Sequence, residues 1–453
     1  MRISAIKVSE LEGRKRLDAE YYQPHHLEMV KRFEKFKSLN DYKPLVLHPT
    51  EVKRVYEEEG LQLLFTQNIR DNRLDFSHTA YLSFGVEEQI RKNKLQPGDI
   101  VVTRTGANFG DAAPYDGSPS PIYASSHCII IRCKDIPGSY LSTYFNTNVG
   151  KALLKRGVYG AAQPEIAPDY IRTLQIPRFG EKTEKLVEQK LKQAKQKRDT
   201  SEQLYADAEN LLASELGLDK PDLSESLFNI RNVSDVINSA RMDAEYFQRK
   251  YDVLEDKLAV FPQVTVKKLV KYPVSSGSTP LAGGSDYTDE IAGISFIRAV
   301  NLSGGEVQLD DVIYVKKEVH EKTLKKTKLH EGDVLFSIAG TVGRCALYTH
   351  AIEANINQAL SILRFDETVL KRLYVVAFFN SPIGKEYVSR YGRLGLQTNL
   401  NLEEVSNLKI PAIKYKAQEQ IADKIQLSFD TRQEAKRLLA EAKEEVEKMI
   451  EGK

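Results

Sequence analysis

The chain has 453 residues, and its 65 Lys and Arg residues nearly balance 63 Asp and Glu residues, for a net charge of +2. This balance excludes a uniformly basic chain, so any nucleic-acid contact must come from local clusters of charge. The apolar fraction of 41% argues against disorder, and no run approaches the roughly 20 apolar residues of a membrane span. The three cysteines have no metal-ligand spacing. We therefore expect free thiols and a cytoplasmic protein without membrane contact.

The first predicted element is a helical lead-in at residues 16–37. Its motif Arg16-Leu-Asp-Ala-Glu-Tyr-Tyr22 returns as Arg241-Met-Asp-Ala-Glu-Tyr-Phe247, about 225 positions later, and opens a second lead-in at 241–260. A duplication of this length predicts two copies of roughly 225 residues, each large enough to bury its own core. The copies are expected to be related by an internal pseudo-two-fold axis.

A strand-rich middle follows in each copy. Its apolar runs are short and bounded by turn signals, at 63–66, 100–103 and 128–131, and again at 294–297, 334–338 and 360–365. Leu95-Gln-Pro-Gly-Asp-Ile-Val101 recurs as Leu329-His-Glu-Gly-Asp-Val-Leu335, about 234 positions later. A short helix is predicted over 144–151 and over 378–385, and a last strand ends at Ile176-Pro177 and at Ile410-Pro411.

Each copy ends in a long charged helix with a heptad-like apolar stripe, which we call the helix seam. Its residues are Val187, Leu191, Ala194, Tyr205, Ala208 and Leu212 in the first copy and Ile421, Ile425, Ser428, Leu439, Ala442 and Val446 in the second. The stripe is interrupted at Arg198 and, 234 positions later, at Arg432. The shared register predicts an antiparallel pair of helices, whereas two unrelated surface helices are the alternative.

The predicted fold class is α+β, with two tandem α/β domains separated by two long antiparallel helices. The predicted boundaries are 1–180 and 217–415 for the domains and 181–216 and 416–453 for the helical spacers.

Catalytic motifs are not apparent in the sequence. No Gly-x-Gly-x-x-Gly follows a strand, and Gly150-Lys151 and Gly384-Lys385 lack the upstream glycine of a phosphate loop. Asp169, Glu188 and Lys190 fit a loose nuclease spelling, which is the only enzymatic alternative. We expect a chain without catalytic residues, resident cofactor or metal.

A glycine-rich loop with polar side chains follows one strand of each copy. In the first copy it carries Arg104 and Asn108, and in the second it carries Ser337 and Thr341. Glycines expose backbone N–H groups to anions, and Arg and Asn can read guanine and adenine edges bidentately. The alternative is a tight turn that needs glycine for its backbone geometry alone.

Two further loops and a basic run recur as well. The candidate base-reading residues of these loops are Gln67, Asn68, Arg70, Arg73 and Gln163 in the first copy and Arg298, Asn301, Gln397 and Asn399 in the second. The basic runs are Arg91, Lys92 and Lys94, and Lys325, Lys326 and Lys328. Lysine and arginine runs suit phosphate contacts, which position DNA without reading it, although most charge runs are only a solvated face.

The order of these elements, repeated twice, resembles the specificity (S) subunit of Type I restriction-modification systems, which defend cells against foreign DNA. The resemblance implies two target recognition domains, each reading one half of a bipartite, asymmetric double-stranded DNA site, and two helices that set the unread gap. It also implies two methyltransferase (M) subunits docked on the helices and restriction (R) subunits that join them. S-adenosylmethionine, ATP and Mg²⁺ are then expected on these partners and not on this chain.

Two other interpretations remain at this point. One is the specificity subunit of a system in which methyltransferase and nuclease are fused in one partner. The other is a duplicated binding module for a ligand other than DNA.

Overall fold

The computed structural model describes residues 5–452 except 12–15, 78, 107, 161–163, 219–223, 225–226, 282–283 and 394–397. The chain forms two compact units, unit 1 from residues 1–198 and 433–453 and unit 2 from residues 199–432. Both unit boundaries fall inside the predicted long helices, at positions 234 residues apart. Among the described residues, no helix combines the length and the apolar character needed to cross a membrane.

Unit 1 contains short strands followed by helices. Its helices are α1 (Pro24–Phe33), α2 (Gly138–Asn146), α3 (Asn148–Arg156), α4 (Pro168–Thr173) and the first part of α5 (Glu181–Glu215). Its strands are β1 (Leu45–Leu47), β2 (Tyr56–Glu57), β3 (Leu61–Leu64), β4 (Ile69–Arg70), β5 (Arg73–Leu74), β6 (Ala80–Leu82), β7 (Ile100–Thr103), β8 (Ala112–Pro114), β9 (Ile122–Ala124), β10 (Cys128–Arg132), β11 (Val158–Tyr159) and β12 (Glu165–Ile166).

Two four-stranded sheets organise unit 1. One has the order β1-β10-β7-β8 and is antiparallel, and the other has the order β2-β6-β3-β9, in which β3 and β9 are parallel. The central strand β7 is buried along its whole length, because helix α2 covers one face of its sheet and a second apolar cluster covers the other. The short pairs β4-β5 and β11-β12 stand beside these sheets.

Unit 2 repeats this order with a larger sheet. Its helices are α6 (Val233–Ser239), α7 (Arg249–Leu258), α8 (Val266–Leu269), α9 (Lys317–Glu321), α10 (Arg372–Asn380), α11 (Pro382–Tyr391), α12 (Leu402–Asn407) and the first part of α13 (Tyr415–Glu451). Its strands are β13 (Gln263–Thr265), β14 (Ser275–Ser276), β15 (Tyr287–Thr288), β16 (Gly293–Ile297), β17 (Leu302–Ser303), β18 (Glu306–Val307), β19 (Ile313–Lys316), β20 (Val334–Ser337), β21 (Cys345–Leu347), β22 (Ala354–Ile356), β23 (Leu360–Leu363) and β24 (Lys409–Pro411).

The sheets of unit 2 have the orders β14-β23-β20-β21-β18-β17, β15-β19-β16-β22 and β13-β24. The register of the central antiparallel pair is the same in both units, since Thr103 faces Cys128 and Ser337 faces Leu360. A one-residue slip would exchange the side chains between the two buried faces of the central strand. The predicted class, with two tandem α/β domains, is therefore confirmed.

The helix seam is buried within each unit. In unit 1, Val187 and Leu191 of α5 share a core with Ala442 and Val446 of α13. In unit 2, Leu212 of α5 shares a core with Ile421 and Ile425 of α13, while Tyr205 and, in unit 1, Leu439 pack partly buried at the edges. In unit 2, Ser201 contacts Ser428 and Asp207 pairs with Lys424, so rising numbers on α5 meet falling numbers on α13 and the predicted antiparallel pairing is observed there.

The short helix predicted over 144–151 is wrong in detail. Two helices meet there, α2 and α3, and Thr147 caps the second by accepting a 3.0 Å hydrogen bond from the Gly150 backbone N–H. Ser381 caps α11 in the same way through Gly384. A Cβ atom on Gly150 would lie 2.1 Å from the Tyr144 carbonyl oxygen, so these glycines serve close packing and no phosphate.

Candidate nucleic-acid interface

In both units a residue of the glycine-rich loop pairs with a residue at the end of, or just after, the predicted loop at 159–163 in the first copy and 394–399 in the second, which we call the third loop. Thr105 forms an isolated β-bridge with Glu165, and Ala339 forms the equivalent bridge with Asn399. Both bridges join positions 60 apart in sequence, and both follow directly on the buried central strand. The fold thus brings two of the three predicted loops of each copy to one edge, although Gln163 and Gln397 lie outside the described residues.

Arg104 is held by a carboxylate at this edge. Its guanidinium forms an ion pair with Glu165 and donates a 3.5 Å hydrogen bond to the Ser126 carbonyl, and its side chain is only 14% exposed. Glu165 also accepts a 2.6 Å hydrogen bond from the Tyr159 hydroxyl, which raises the pKa of that tyrosine. Arg104 is therefore pre-oriented and partly accessible, and Asn108 lies half-buried on the same loop.

The corresponding residues of unit 2 divide into a structural and an accessible group. Ser337 is fully buried, donates to the Thr341 carbonyl and accepts a 2.8 Å hydrogen bond from the Arg344 backbone N–H. Its predicted base-reading role is wrong, because its hydroxyl is used to close the loop. Thr341 and Asn399 are exposed beside it.

The predicted loop at 66–73, which recurs at 297–303, contains a buried asparagine in each unit. The Asn68 side-chain oxygen accepts a 2.8 Å hydrogen bond from the Phe65 backbone N–H, and that of Asn301 accepts a 2.9 Å bond from Arg298. The two residues are 1% and 2% exposed. Their predicted base-reading role is wrong as well, since each side chain caps its own turn.

The remaining polar residues of this loop in unit 1 are more accessible. Gln67 is exposed, and Arg70 and Arg73 are half-buried and face each other across the β4-β5 pair. Lys151 ties this hairpin to the glycine-rich loop, with its Nζ 2.6 Å from Asp71 and 2.9 Å from Asp111. Burial raises the pKa of Asp111, while Lys151 opposes this shift.

The equivalent hairpin of unit 2 is fixed to the long helix. Arg432 of α13 pairs at 2.9 Å with the buried Glu306 and donates to the Gly304 carbonyl. Arg432, which interrupts the helix seam, therefore holds this hairpin against α13. Arg298 is half-buried and donates a 2.8 Å hydrogen bond to the Asp311 carbonyl.

Both basic runs lie on short 3₁₀ turns directly before the central strand, at Arg91–Asn93 and Lys325–Thr327. The last residue of each turn, Asn93 or Thr327, is buried, and the charged residues before it are exposed. Arg91, Lys92, Lys94, Lys325 and Lys326 are exposed. Lys328 is half-buried and pairs with Glu321 at 2.6 Å.

Several framework residues recur in both units and were not singled out from the sequence. Asn146 and Asn380 each bond both the N–H and the carbonyl of one strand residue, Ala112 and Cys345. The buried carboxylates of Asp99 and Asp333 each bind an arginine, Arg132 and Arg364. The signal was present, because the asparagines stand in the repeated Phe-Asn dipeptide and the aspartates in the repeated Gly-Asp.

The nuclease alternative gains no support from unit 1. Asp169 is 88% exposed and lies 3.8 Å from Arg172, and Lys190 pairs with Glu441 across the helix pair. Glu188 is exposed on α5. Asp169 and Glu188 therefore lie on solvated helix faces, whereas Lys190 is part of the contact between the two long helices.

Comparison with known proteins agrees with the resemblance that the internal repeat indicated. Residues 263–444 match the model of the Type I restriction modification DNA specificity domain. Over 146 residues, 32% of this chain, the sequence is 24% identical to the Type I restriction enzyme EcoBI specificity subunit of Escherichia coli. That match spans 30% of the Escherichia coli protein.

Solved structures of two S subunits match the chain with TM-scores below 0.5. The Type I restriction-modification S subunit from M. genitalium has a TM-score of 0.40 and 11% identity, covering 90% of this chain and 94% of that chain. The HsdS subunit from Thermoanaerobacter tengcongensis has a TM-score of 0.29 and 13% identity, covering 90% and 95%. Over residues 263–444, the chain is therefore similar to the Type I restriction modification DNA specificity domain.

Proposed function

We propose that this chain is the DNA-specificity subunit of a Type I restriction-modification complex and carries out no catalysis itself. Each unit reads one half of a split, asymmetric double-stranded DNA site. The helix pair sets the unread gap between the halves.

One observation carries this proposal: the two units share their framework and differ at the accessible edge. The central-strand register, the Asn146 and Asn380 bonds and the Asp–Arg pairs recur almost atom for atom. The glycine-rich loop does not recur, since Arg104-Thr-Gly-Ala-Asn108 in unit 1 corresponds to Ile338-Ala-Gly-Thr-Val342 in unit 2. These side chains offer different donors and acceptors, as two unlike half-sites require.

The accessible candidates form two groups with different tasks. Arg104, Asn108, Gln67, Arg70 and Arg73 in unit 1 and Arg298, Thr341 and Asn399 in unit 2 are the proposed base readers. Arg91, Lys92, Lys94, Lys325, Lys326 and Lys328 are the proposed phosphate contacts, which supply affinity and salt dependence. The near-neutral net charge of the chain fits a complex in which partner subunits supply part of the backbone grip.

Two methyltransferase subunits are the proposed partners on the helix pair, with restriction subunits joining them. Exposed apolar side chains on α13 and in unit 2 are available for contact with a protein partner. On α13, Tyr415 and Leu427 are about half exposed, and in unit 2 Leu227, Ile230 and Val233 are more than 70% exposed. S-adenosylmethionine, ATP and Mg²⁺ belong on those partners.

The test is to co-express the chain with the adjacent methyltransferase gene and to map methylated adenines across the genome by single-molecule sequencing. A split motif of two unlike half-sites with a fixed unread gap is the expected result. No new methylation from an assembled complex would overturn the proposal and favour a binding module for another ligand. Methylation that requires a single fused methyltransferase–nuclease partner would instead place the chain in a fusion system.

A further inference from the structure

A buried histidine of unit 2 points a ring nitrogen toward two carboxylates without bonding either. His320, on α9, is 1% exposed, and its Nε2 atom is buried without a hydrogen-bond partner. Nε2 lies 3.7 Å from a Glu321 oxygen and 3.5 Å from a Glu353 oxygen. An unsatisfied buried nitrogen is costly, so this arrangement calls for an occupant.

The neighbouring asparagine fixes which nitrogen of His320 holds the proton. Asn355 donates from Nδ2 to the Leu324 carbonyl at 2.9 Å, so its Oδ1 faces the ring and accepts from His320 Nδ1 at 2.5 Å. Nδ1 therefore carries a hydrogen, and in the neutral ring the lone pair is on Nε2, which faces the carboxylates. An outer hydrogen bond that fixes the imidazole in this way is typical of metal-ligating histidines.

The spacing of the three ligand atoms suits a divalent ion. They lie within 4.8 Å of one another. Two ligands at roughly 2.1 Å from a tetrahedral ion stand about 3.4 Å apart, close to the 3.5 and 3.7 Å observed from Nε2. Glu321 and Glu353 are 47% and 59% exposed, so water can complete the coordination. Lys328 pairs with the other oxygen of Glu321. Its positive charge offsets one of the two carboxylate charges, so one negative charge is left for the ion to balance.

Unit 1 satisfies the equivalent place without an ion. Val86 stands where unit 2 has His320, and Glu87 stands where it has Glu321. Tyr123, at the position of Asn355, donates its hydroxyl to Glu87 at 2.7 Å. The site is thus confined to the second copy, which explains why the internal repeat gives no hint of it.

We propose that His320, Glu321 and Glu353 bind one divalent transition-metal ion, such as Zn²⁺, and so fasten α9 to the start of β22. One imidazole with two carboxylates favours Zn²⁺, Co²⁺ or Mn²⁺ over Mg²⁺ or Ca²⁺, which prefer oxygen ligands alone. The sequence predicted no metal site, because 32 residues separate Glu321 from Glu353.

The test is Co²⁺ titration of the full chain after chelation, followed by visible absorption, with Zn²⁺ competition and metal content measured by mass spectrometry. One equivalent of Co²⁺, displaced by Zn²⁺, is expected. Glu353→Gln and Glu321→Gln, which change exposed side chains, should each weaken binding by more than about tenfold. At one Zn²⁺ concentration, Zn²⁺ should also raise the Tm of the wild-type chain by more than it raises that of Glu353→Gln.

Glu331→Gln is the matched control, because Glu331 is exposed in the same unit and lies outside the group. It should bind Co²⁺ as the wild type does. Absence of stoichiometric binding, or binding that survives Glu353→Gln and Glu321→Gln unchanged, would overturn the proposal. A third variant, His320→Gln, separates ligand loss from surface charge, since it should abolish the Co²⁺ spectrum while both carboxylates remain.

Discussion

Arg241 stacks its guanidinium over the ring of Tyr246, 4.8 Å from the ring centroid, while binding Asp243 with two hydrogen bonds. The same group donates to the carbonyls of Tyr391 and Gly392 at the end of α11. Arg16 repeats the stack over Tyr21 and the pair with Asp18 in unit 1. The repeated Arg-x-Asp-Ala-Glu-Tyr motif is therefore an anchor that ties the lead-in to the helix preceding the third loop.

Replacing Arg241 by Ala should destabilise unit 2 by about 2 kcal/mol, because several charge-assisted hydrogen bonds to a mostly buried guanidinium are lost together. Denaturant unfolding measures this loss. Arg249→Ala, which removes an exposed arginine eight positions later, should change stability far less. Equal losses for both variants would show that the anchor contributes nothing specific.

Replacing Arg104 by Ala should relax the sequence preference at one or two positions of a single half-site. The measurement is methylation mapping of the assembled complex, and the other half-site is the internal control. Glu165→Gln should alter the same positions, since Glu165 orients the guanidinium. Uniform weakening over all sequences would reduce Arg104 to a phosphate contact.

Replacing Lys325 and Lys326 together by Ala should lower the slope of log affinity against log salt by about two, with no change in sequence preference. DNA binding of the assembled complex at several salt concentrations measures the slope. The matched control is the double replacement of the exposed Lys267 and Lys268 on α8, which should leave it unchanged. A changed recognition motif would contradict a phosphate role.

Ser201 and Ser428 form a buried polar contact in the helix seam of unit 2, where the Ser428 hydroxyl donates to the Ser201 carbonyl at 2.7 Å and the two hydroxyls lie 3.0 Å apart. Ser428→Ala should cost about 1–2 kcal/mol, and adding Ser201→Ala should cost little more, because the first change already removes the shared bond. Urea unfolding of the single and double variants gives the coupling. Ser214→Ala, an exposed serine on α5, is the control, and strictly additive losses would contradict the contact.

Acid should destabilise unit 1 through His26. Burial, with the nearby charges of His25, Arg156 and Lys155, lowers the pKa of His26 to about 4. In the unfolded chain the pKa of His26 is near 6.5. His26 is therefore neutral in both states above about pH 6.5. As the pH falls from 6.5 toward 4, the unfolded chain takes up a proton that the folded chain does not, so the free energy of unfolding decreases. His26→Gln should therefore narrow the difference in unfolding midpoint between neutral pH and about pH 5. His330→Gln, which changes a 70% exposed histidine, should not.

The fold class could be predicted from the sequence, because the internal repeat and the heptad spacing of the helix seam indicate which residues are buried. The residues of the candidate nucleic-acid interface were predicted less well. Asn68, Asn301 and Ser337 have the right chemistry for bases, but each bonds its own backbone turn, and composition cannot distinguish a capping amide or hydroxyl from an accessible one. The pairing of Arg104 with Glu165 joins residues 61 positions apart and left no local signal.

The unit boundaries lie at equivalent positions of the two long helices, Arg198 and Arg432, and both ends of unit 2 enter one helix pair. A crossover at these two points would exchange one reading half as a cassette and regenerate an unbroken helix at each join, because the two copies share their register there. If each unit reads one half-site, as proposed, such an exchange would change one half-site and leave the other as it was. The helix seam of the recombined chain would keep the same register, so its two long helices would pair without further compensating substitutions.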